Sequence, residues 1–179
     1  MKFLFLTLLC FNTLISFAQN EDKVYYEKGI ALQYAHYETD LLEMMLSNDS
    51  IKSKSANKIV DQLQQQAIYQ YDLLLEEFPN SKFSLDALYQ KAEAQYSLGL
   101  NADAKKNFLK VISINPKKGK SLLKLAYLEL EEKNYSEALK YVEQRRTIKS
   151  LFLCGVEQEV EASQLKFIEE KCRIGLTKN

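Results

Sequence analysis

The chain of 179 residues has no tryptophan, one histidine, two prolines, five glycines and three cysteines. So little glycine and proline, set against abundant Leu, Ala, Glu, Lys, Gln and Tyr, leaves few places where a helix would be interrupted, and the composition reads as all-α. No charge of one sign dominates, because 24 basic side chains face 24 acidic ones. With the isoelectric point near 6.6, neither nucleic acid nor an acidic lipid surface is indicated as a partner. Catalytic motifs are missing as well: the sequence contains no glycine-rich phosphate loop, GxSxG elbow, HExxH or CxxC. The single histidine, His36, stands four residues before Asp40, a spacing that puts both on one face of a helix. Two ligands fall short of the three or four that usually hold zinc, so His36 reads as a surface or partly packed side chain. The many Glu and Asp residues lie beside lysines at helical spacing and read as a solvated face. The sequence predicts a protein that is not an enzyme and needs no cofactor or metal.

At the amino terminus, Lys2 precedes an apolar run from Phe3 to Phe17, closed by the small residues Ser16 and Ala18. This pattern predicts a signal peptide over 1–18, cleaved after Ala18, since the run is short for the roughly 20 residues of a membrane span. Leu9 stands where a lipoprotein signal wants a small residue before its cysteine, so acylation of Cys10 is not expected. Export to a periplasmic or extracellular space would permit disulfides. Cys154 and Cys172 nevertheless flank a segment with Val156, Val160, Leu165 and Ile168 at helical spacing. A helix there would hold the two thiols some 25 Å apart, against about 7 Å between Cα atoms for a disulfide, and both are expected to be free. Asn48 in "NDS" and Asn134 in "NYS" fit the N-glycosylation pattern, and Asp49–Ile51 resembles a short bacterial O-glycosylation pattern.

The two prolines carry the architecture. Ala67 and Ala104 each lie twelve residues before a proline, Pro79 and Pro116, and Tyr71 and Phe108 each follow their alanine by four. The register continues, with Ala138 lying 34 residues after Ala104, Val142 in the aromatic slot, and a second small position shared by Ala92 and Ala126. Small and large residues alternating on one helical face let a neighbouring helix approach closely, and each proline ends a helix.

These residues resemble the tetratricopeptide repeat family, whose unit is two helices, A and B, joined by a tight turn. "LDALYQKAEAQYSLGLNADAKKNFLKVISINP" carries Ala92, Gly99, Ala104, Phe108 and Pro116 at the family's places, and the next unit carries Leu125, Ala126, Tyr135 and Ala138. The departures are Gln95 and Glu129 where a tyrosine is usual, Val111 and Arg145 where a small residue is usual, and Ser150 in place of a third proline. The junction around "EEFPNSKFS" resembles repeats of bacterial cell-envelope proteins. The resemblance implies a right-handed superhelical stack of antiparallel helix pairs, a TPR-like α-solenoid with about three pairs and a capping helix. Within one helical domain over 19–179, the expected parts are a long first pair over 22–78, repeats over 82–116 and 119–150, and a capping helix over 156–173. Helices over about 22–46 and 54–78, with Gly29 at the small position, would form the first pair; an ordinary short pair ending near Met45, followed by an extra helix, is the alternative. "RRTIKSLFLCG" is expected to prolong the second helix of the last repeat toward Gly155.

Family members bind a segment of a protein partner along their A helices. Carrying those places over gives Asp86, Tyr89, Glu93, Tyr96 and Ser97 from one unit and Lys120, Leu123, Tyr127, Leu130 and Glu131 from the next. Tyr89, Glu93, Tyr96, Lys120, Leu123, Tyr127 and Leu130 are the candidate partner-binding residues, although Tyr89 and Leu123 also suit packing against the neighbouring unit or the long first hairpin. The family's clamp for terminal carboxylates is not reproduced, because Tyr89 and Glu93 occupy two of its places. Two readings stand side by side. One is a secreted or periplasmic scaffold holding an envelope protein or peptide, with any membrane association made through that partner. The other is a structural component that self-associates through an apolar stripe at Val60, Leu63, Ala67, Tyr71 and Leu74.

Overall fold

The computed structural model describes residues 21–149 and 155–177. The expected signal segment with Cys10, and Ser150 and Cys154, lie outside the described residues. Every regular element among the described residues is helical: α1 (Glu21–Tyr34), a 3-10 turn (Ala35–Tyr37), α2 (Thr39–Met45), α3 (Ser50–Glu77), α4 (Ser84–Ser97), α5 (Asn101–Ile114), α6 (Gly119–Glu131), α7 (Tyr135–Thr147) and α8 (Gly155–Thr177). The helices pack in adjacent pairs, in agreement with a TPR-like solenoid. The stretch read from the sequence as one helical domain comprises two compact units, the first ending at Gly99 and the second beginning at Leu100.

The prolines act as the sequence predicts. α3 ends at Glu77 and α5 at Ile114, and the residues just before Pro79 and Pro116 leave helical geometry, Phe78 at φ −128°, ψ 57° and Asn115 at φ −134°, ψ 90°. Pro Cδ crowds an α conformation in the preceding residue, which is why each break falls there. The turns between helices share a second device, for Gly99 and Lys133, 34 residues apart, both take the left-handed conformation, with φ 72° and 62°. Glycine adopts it freely, whereas lysine does so at a cost of roughly 1 kcal/mol.

In the first unit, α1 and α4 both pack on α3. The core holds Ala67, Tyr71, Leu74 and Ala87, with Tyr25, Tyr26, Ile30, Leu32, Leu75 and Phe83 against it. Gly29 is what brings α1 close, since a Cβ there would lie 2.3 Å from the Tyr71 ring. The Tyr71 hydroxyl donates to Gln33 Oε1 at 2.7 Å, and Gln64 Nε2 donates to the Gln33 backbone carbonyl at 2.9 Å, so Gln33 ties both side chains of α3 to α1. Lys91 and Asp72 form an ion pair between α4 and α3.

The expected unbroken helix over 22–46 is instead three pieces. His36 Nδ1 lies 3.0 Å from the Gln33 carbonyl that Gln64 already engages. These side chains take an acceptor that a continuing helix would use for its own backbone, and the chain turns outward at Glu38, with φ −60° and ψ 137°. His36 and Asp40 consequently lie on separate elements rather than on one helical face. α3 begins earlier than the expected residue 54, because Asp49 caps it by accepting from Ile51 N at 2.9 Å and Lys52 N at 3.4 Å. The stripe proposed for self-association is occupied within the unit: Ala67, Tyr71 and Leu74 are fully buried, and Val60 and Leu63 are half-buried.

In the second unit, α6 packs against α5, α7 and α8. Leu123, Ala126, Ala138, Val142, Leu165, Ile168 and Cys172 make its core, and Cys172 is a free thiol. The two residues that depart most from the repeat pattern are both buried and both compensated. Glu129, 3% exposed, pairs with Lys105 Nζ at 2.8 Å and accepts from Asn134 Nδ2 at 2.9 Å. Lys105 also reaches Glu132 at 2.6 Å. Burial opposes the charge on Lys105, but the two carboxylates outweigh it and hold its pKa above the ordinary lysine value.

Arg145 fills the place of a small residue. Its guanidinium pairs with Glu161 of α8 and donates to the Ile148 carbonyl at 3.0 Å. Room for it comes from Gly119, where a Cβ would lie 2.6 Å from Arg145 Nε. That bond to Ile148 accompanies the end of α7 at Thr147, with Ile148 extended, so the expected prolongation toward Gly155 does not occur. At the other end of α7, Tyr135 lies against Gly175, where a Cβ would come within 2.3 Å of the ring. α7 and α8 are therefore antiparallel.

Gly29→Ala should destabilise the first unit by about 1–3 kcal/mol through overpacking against Tyr71, read as a lower denaturant midpoint at unchanged slope; an unchanged midpoint would show that the Tyr71 ring yields. Arg145→Ala should cost about 2–4 kcal/mol, because it empties the space the buried guanidinium fills and leaves the half-buried Glu161 without its partner. The joint replacement Arg145→Met with Glu161→Leu should recover most of that loss in the same denaturation assay.

Candidate partner-binding surfaces

The candidate residues do not share one environment. On α4, Tyr89 is pulled inward: burial, then the charge and hydrogen bond of Glu93, raise its pKa well above the ordinary tyrosine value. A phenol that donates to Glu93 from a buried position contributes structure as well as surface. Tyr96 and Asp86 are half-buried, and Ser97 Oγ donates to the Glu93 carbonyl at 3.1 Å.

Beside these residues lies an aromatic group that the candidate list missed. Tyr34 at the end of α1 donates to Gln90 Oε1 of α4 at 3.3 Å. Its ring stacks on Tyr37 with centroids 6.1 Å apart, and His36 lies 4.1 Å from the same Tyr37 ring. Tyr34 is 42% and Tyr37 65% exposed, a large aromatic area left in water. Burial, then the charge on Glu93, raises the Tyr34 pKa, which places its hydroxyl close to that carboxylate. Nearer the start of the pair, Tyr26 stacks on Phe83 at 5.1 Å. The signal for Tyr34 was in the sequence: it follows Gly29 by five residues, as Ser97 follows Ala92 and Glu131 follows Ala126. Tyr37 carried no such signal, because it is positioned by the break in the helix.

In the second unit Lys120 is exposed, whereas Leu123 belongs to the core with Leu165, Ile168 and Cys172, and Tyr127 and Leu130 pack on that core. Burial raises the Tyr127 pKa. Leu123 thus packs against the capping helix, a neighbour that the sequence reading did not name for it. Glu131 accepts from Asn101 Nδ2 at 3.3 Å.

Among the described residues no three His, Cys, Asp or Glu side chains gather so as to hold a metal ion. Among the same residues no helix is long and apolar enough to cross a membrane. The Asn134 amide is engaged by Glu129 and Glu132.

The family model described as tetratricopeptide repeat matches residues 86–118. The chain carries a tetratricopeptide repeat. The matched span runs from the first turn of α4 to the end of the connection after α5, the segment in which the alanine, aromatic and proline places are all filled. Neither a curated protein nor a solved structure matches the chain. Repeats of this family serve as protein-binding scaffolds.

Burial predicts how this tetratricopeptide-repeat chain responds to alkali. The Tyr71 and Tyr89 pKa values are raised above the ordinary 10.0, so stability is complete below about pH 10 and falls as pH rises beyond it, where the unfolded chain releases protons that the folded chain retains. Denaturant midpoints measured from pH 8 to 11.5 should decline only above about pH 10, and Tyr71→Phe should flatten that decline; a flat profile would mean that both phenols titrate as in water.

Proposed function

We propose that the protein is a non-enzymatic scaffold that holds a segment of a protein partner against the exposed tyrosines of its first unit. The observation that carries this reading is the stacked, solvent-exposed pair Tyr34 and Tyr37 beside Glu93, in a chain with a tetratricopeptide repeat. Aromatic side chains often carry most of the energy of such contacts, because they bury large area at small entropic cost. In the second unit, taken by itself, Lys120 is exposed, and Tyr127 and Leu130 pack on the core that holds Leu123; these are that unit's own candidate contacts. The sequence of residues 1–18 supports export, and with it a partner in the periplasm or outside the cell, an envelope protein or a peptide segment. No residue of this reading acts as an acid, base or nucleophile.

A photoreactive residue placed at Tyr34 should crosslink one dominant partner in the native host, while the same residue at Tyr69, exposed on α3, should not. Tyr34→Ala and Tyr96→Ala should each weaken that partner's binding by at least about 2 kcal/mol, with helicity and melting temperature nearly unchanged. Equal capture from both positions, or a loss of folding in both variants, would overturn the assignment. Amino-terminal sequencing of the mature chain tests export, and a first residue at Gln19 is the expected result.

A further inference from the structure

The carboxy-terminal helix has two apolar faces. Leu165, Ile168 and Cys172 turn into the core. A second line of apolar residues, Val156, Val160, Phe167 and Ile174, points to solvent with exposures of 67%, 52%, 47% and 51%. At 100° per residue these four fall within about 40° of one another, in a stripe about 27 Å long. A helix that only closes a repeat array carries a polar outer face, so the stripe is unexplained by capping. Val160, Phe167 and Ile174 repeat every seven residues, with Val156, Ser163 and Glu170 four residues before each in turn, the spacing of a two-helix seam interrupted by one charge at Glu170, which pairs with Lys166 of its own helix.

The charges beside the stripe choose the occupant. Glu159 flanks its amino-terminal half, and Lys171 and Arg173 flank its carboxy-terminal half. We propose that α8 pairs with α8 of a second copy in antiparallel orientation. In that orientation Phe167 lies over the partner's Ser163, Val156 meets the partner's Ile174, and Glu159 faces the partner's Arg173, twice by symmetry. Large then faces small, and unlike charges meet towards both ends, while Lys166 faces its own copy once at the centre. A parallel pair would instead set Lys166 beside the partner's Lys171, which is repulsive. Arg173 is free to swing to this role because its present bond, to Glu169 at 2.9 Å, is a surface pair on its own helix. Four apolar side chains per copy form a narrow seam, the size of a weak contact between copies. This surface is separate from α1 and α4 and uses none of the tyrosines assigned to the partner.

Sedimentation equilibrium of the purified protein in reducing buffer, which excludes disulfide-linked species, tests the pairing. The native protein should be a dimer at micromolar concentration, and Phe167→Glu and Ile174→Lys should each weaken it at least about tenfold, with melting of the monomer unchanged. Glu159→Lys should weaken the dimer, and addition of Arg173→Glu should restore it. A monomer at every accessible concentration overturns the proposal. So does a dimer indifferent to both apolar variants, and failure of the charge swap overturns the antiparallel orientation. A monomer that instead binds lipid vesicles, or another protein, through Phe167 would give the stripe to a different occupant and also overturns the pairing.

Discussion

Close approach of two helices where one side chain is nearly nothing is the constraint on which the rest depends. Gly29 lets α1 settle on the Tyr71 ring, and Ala126 and Ala138 do the same work between α6 and α7. Once the backbones are that near, the polar groups on them have no room for water and must satisfy one another. Gln33 takes bonds from Gln64 and Tyr71 in the first unit, and Glu129 from Lys105 and Asn134 in the second. The apolar pattern brings the helices together, and the buried polar groups then favour one register over its neighbours.

Much of this was legible because it repeats. Spacing of alanines, aromatics and prolines gave helix pairs, their breaks and the family, and these are local requirements that a sequence states outright. Less legible were features created by side chains that reach across the fold. Nothing in "YAHYETD" breaks a helix by composition; the interruption accompanies His36 and Gln64, the latter a residue of another helix, both engaging the Gln33 carbonyl. A run rich in serine and lysine read as a loop until Asp49 proved to cap it. Arg145 looked like a flaw in the third repeat, because neither Gly119 nor Glu161 announces itself as its complement.

The candidate surface divides along the same line. Places carried over from the repeat register put Tyr89, Glu93 and Tyr96 together, yet how deep each lies depends on its neighbours, and Tyr89 proved to be partly structural. Leu123 occupies a binding place in register but meets α8, which does not belong to any repeat. Tyr37 became prominent only through the turn outward at Glu38. Register therefore assigned faces, and the non-repeating segments decided which of those faces remain open.

The guanidinium of Arg145 has a meaning for how such chains evolve. Repeat arrays lengthen by duplication, since any unit can usually follow any other when the surfaces they share are apolar and interchangeable. Here the surface that α7 offers to its successor contains a buried cation that only a helix with a carboxylate at the position of Glu161 can accept. An inserted repeat with an ordinary apolar face would strand that charge. The last junction thus works as a keyed coupling, and it fixes the number of units in this chain more firmly than any loss of repeat character in the sequence after it.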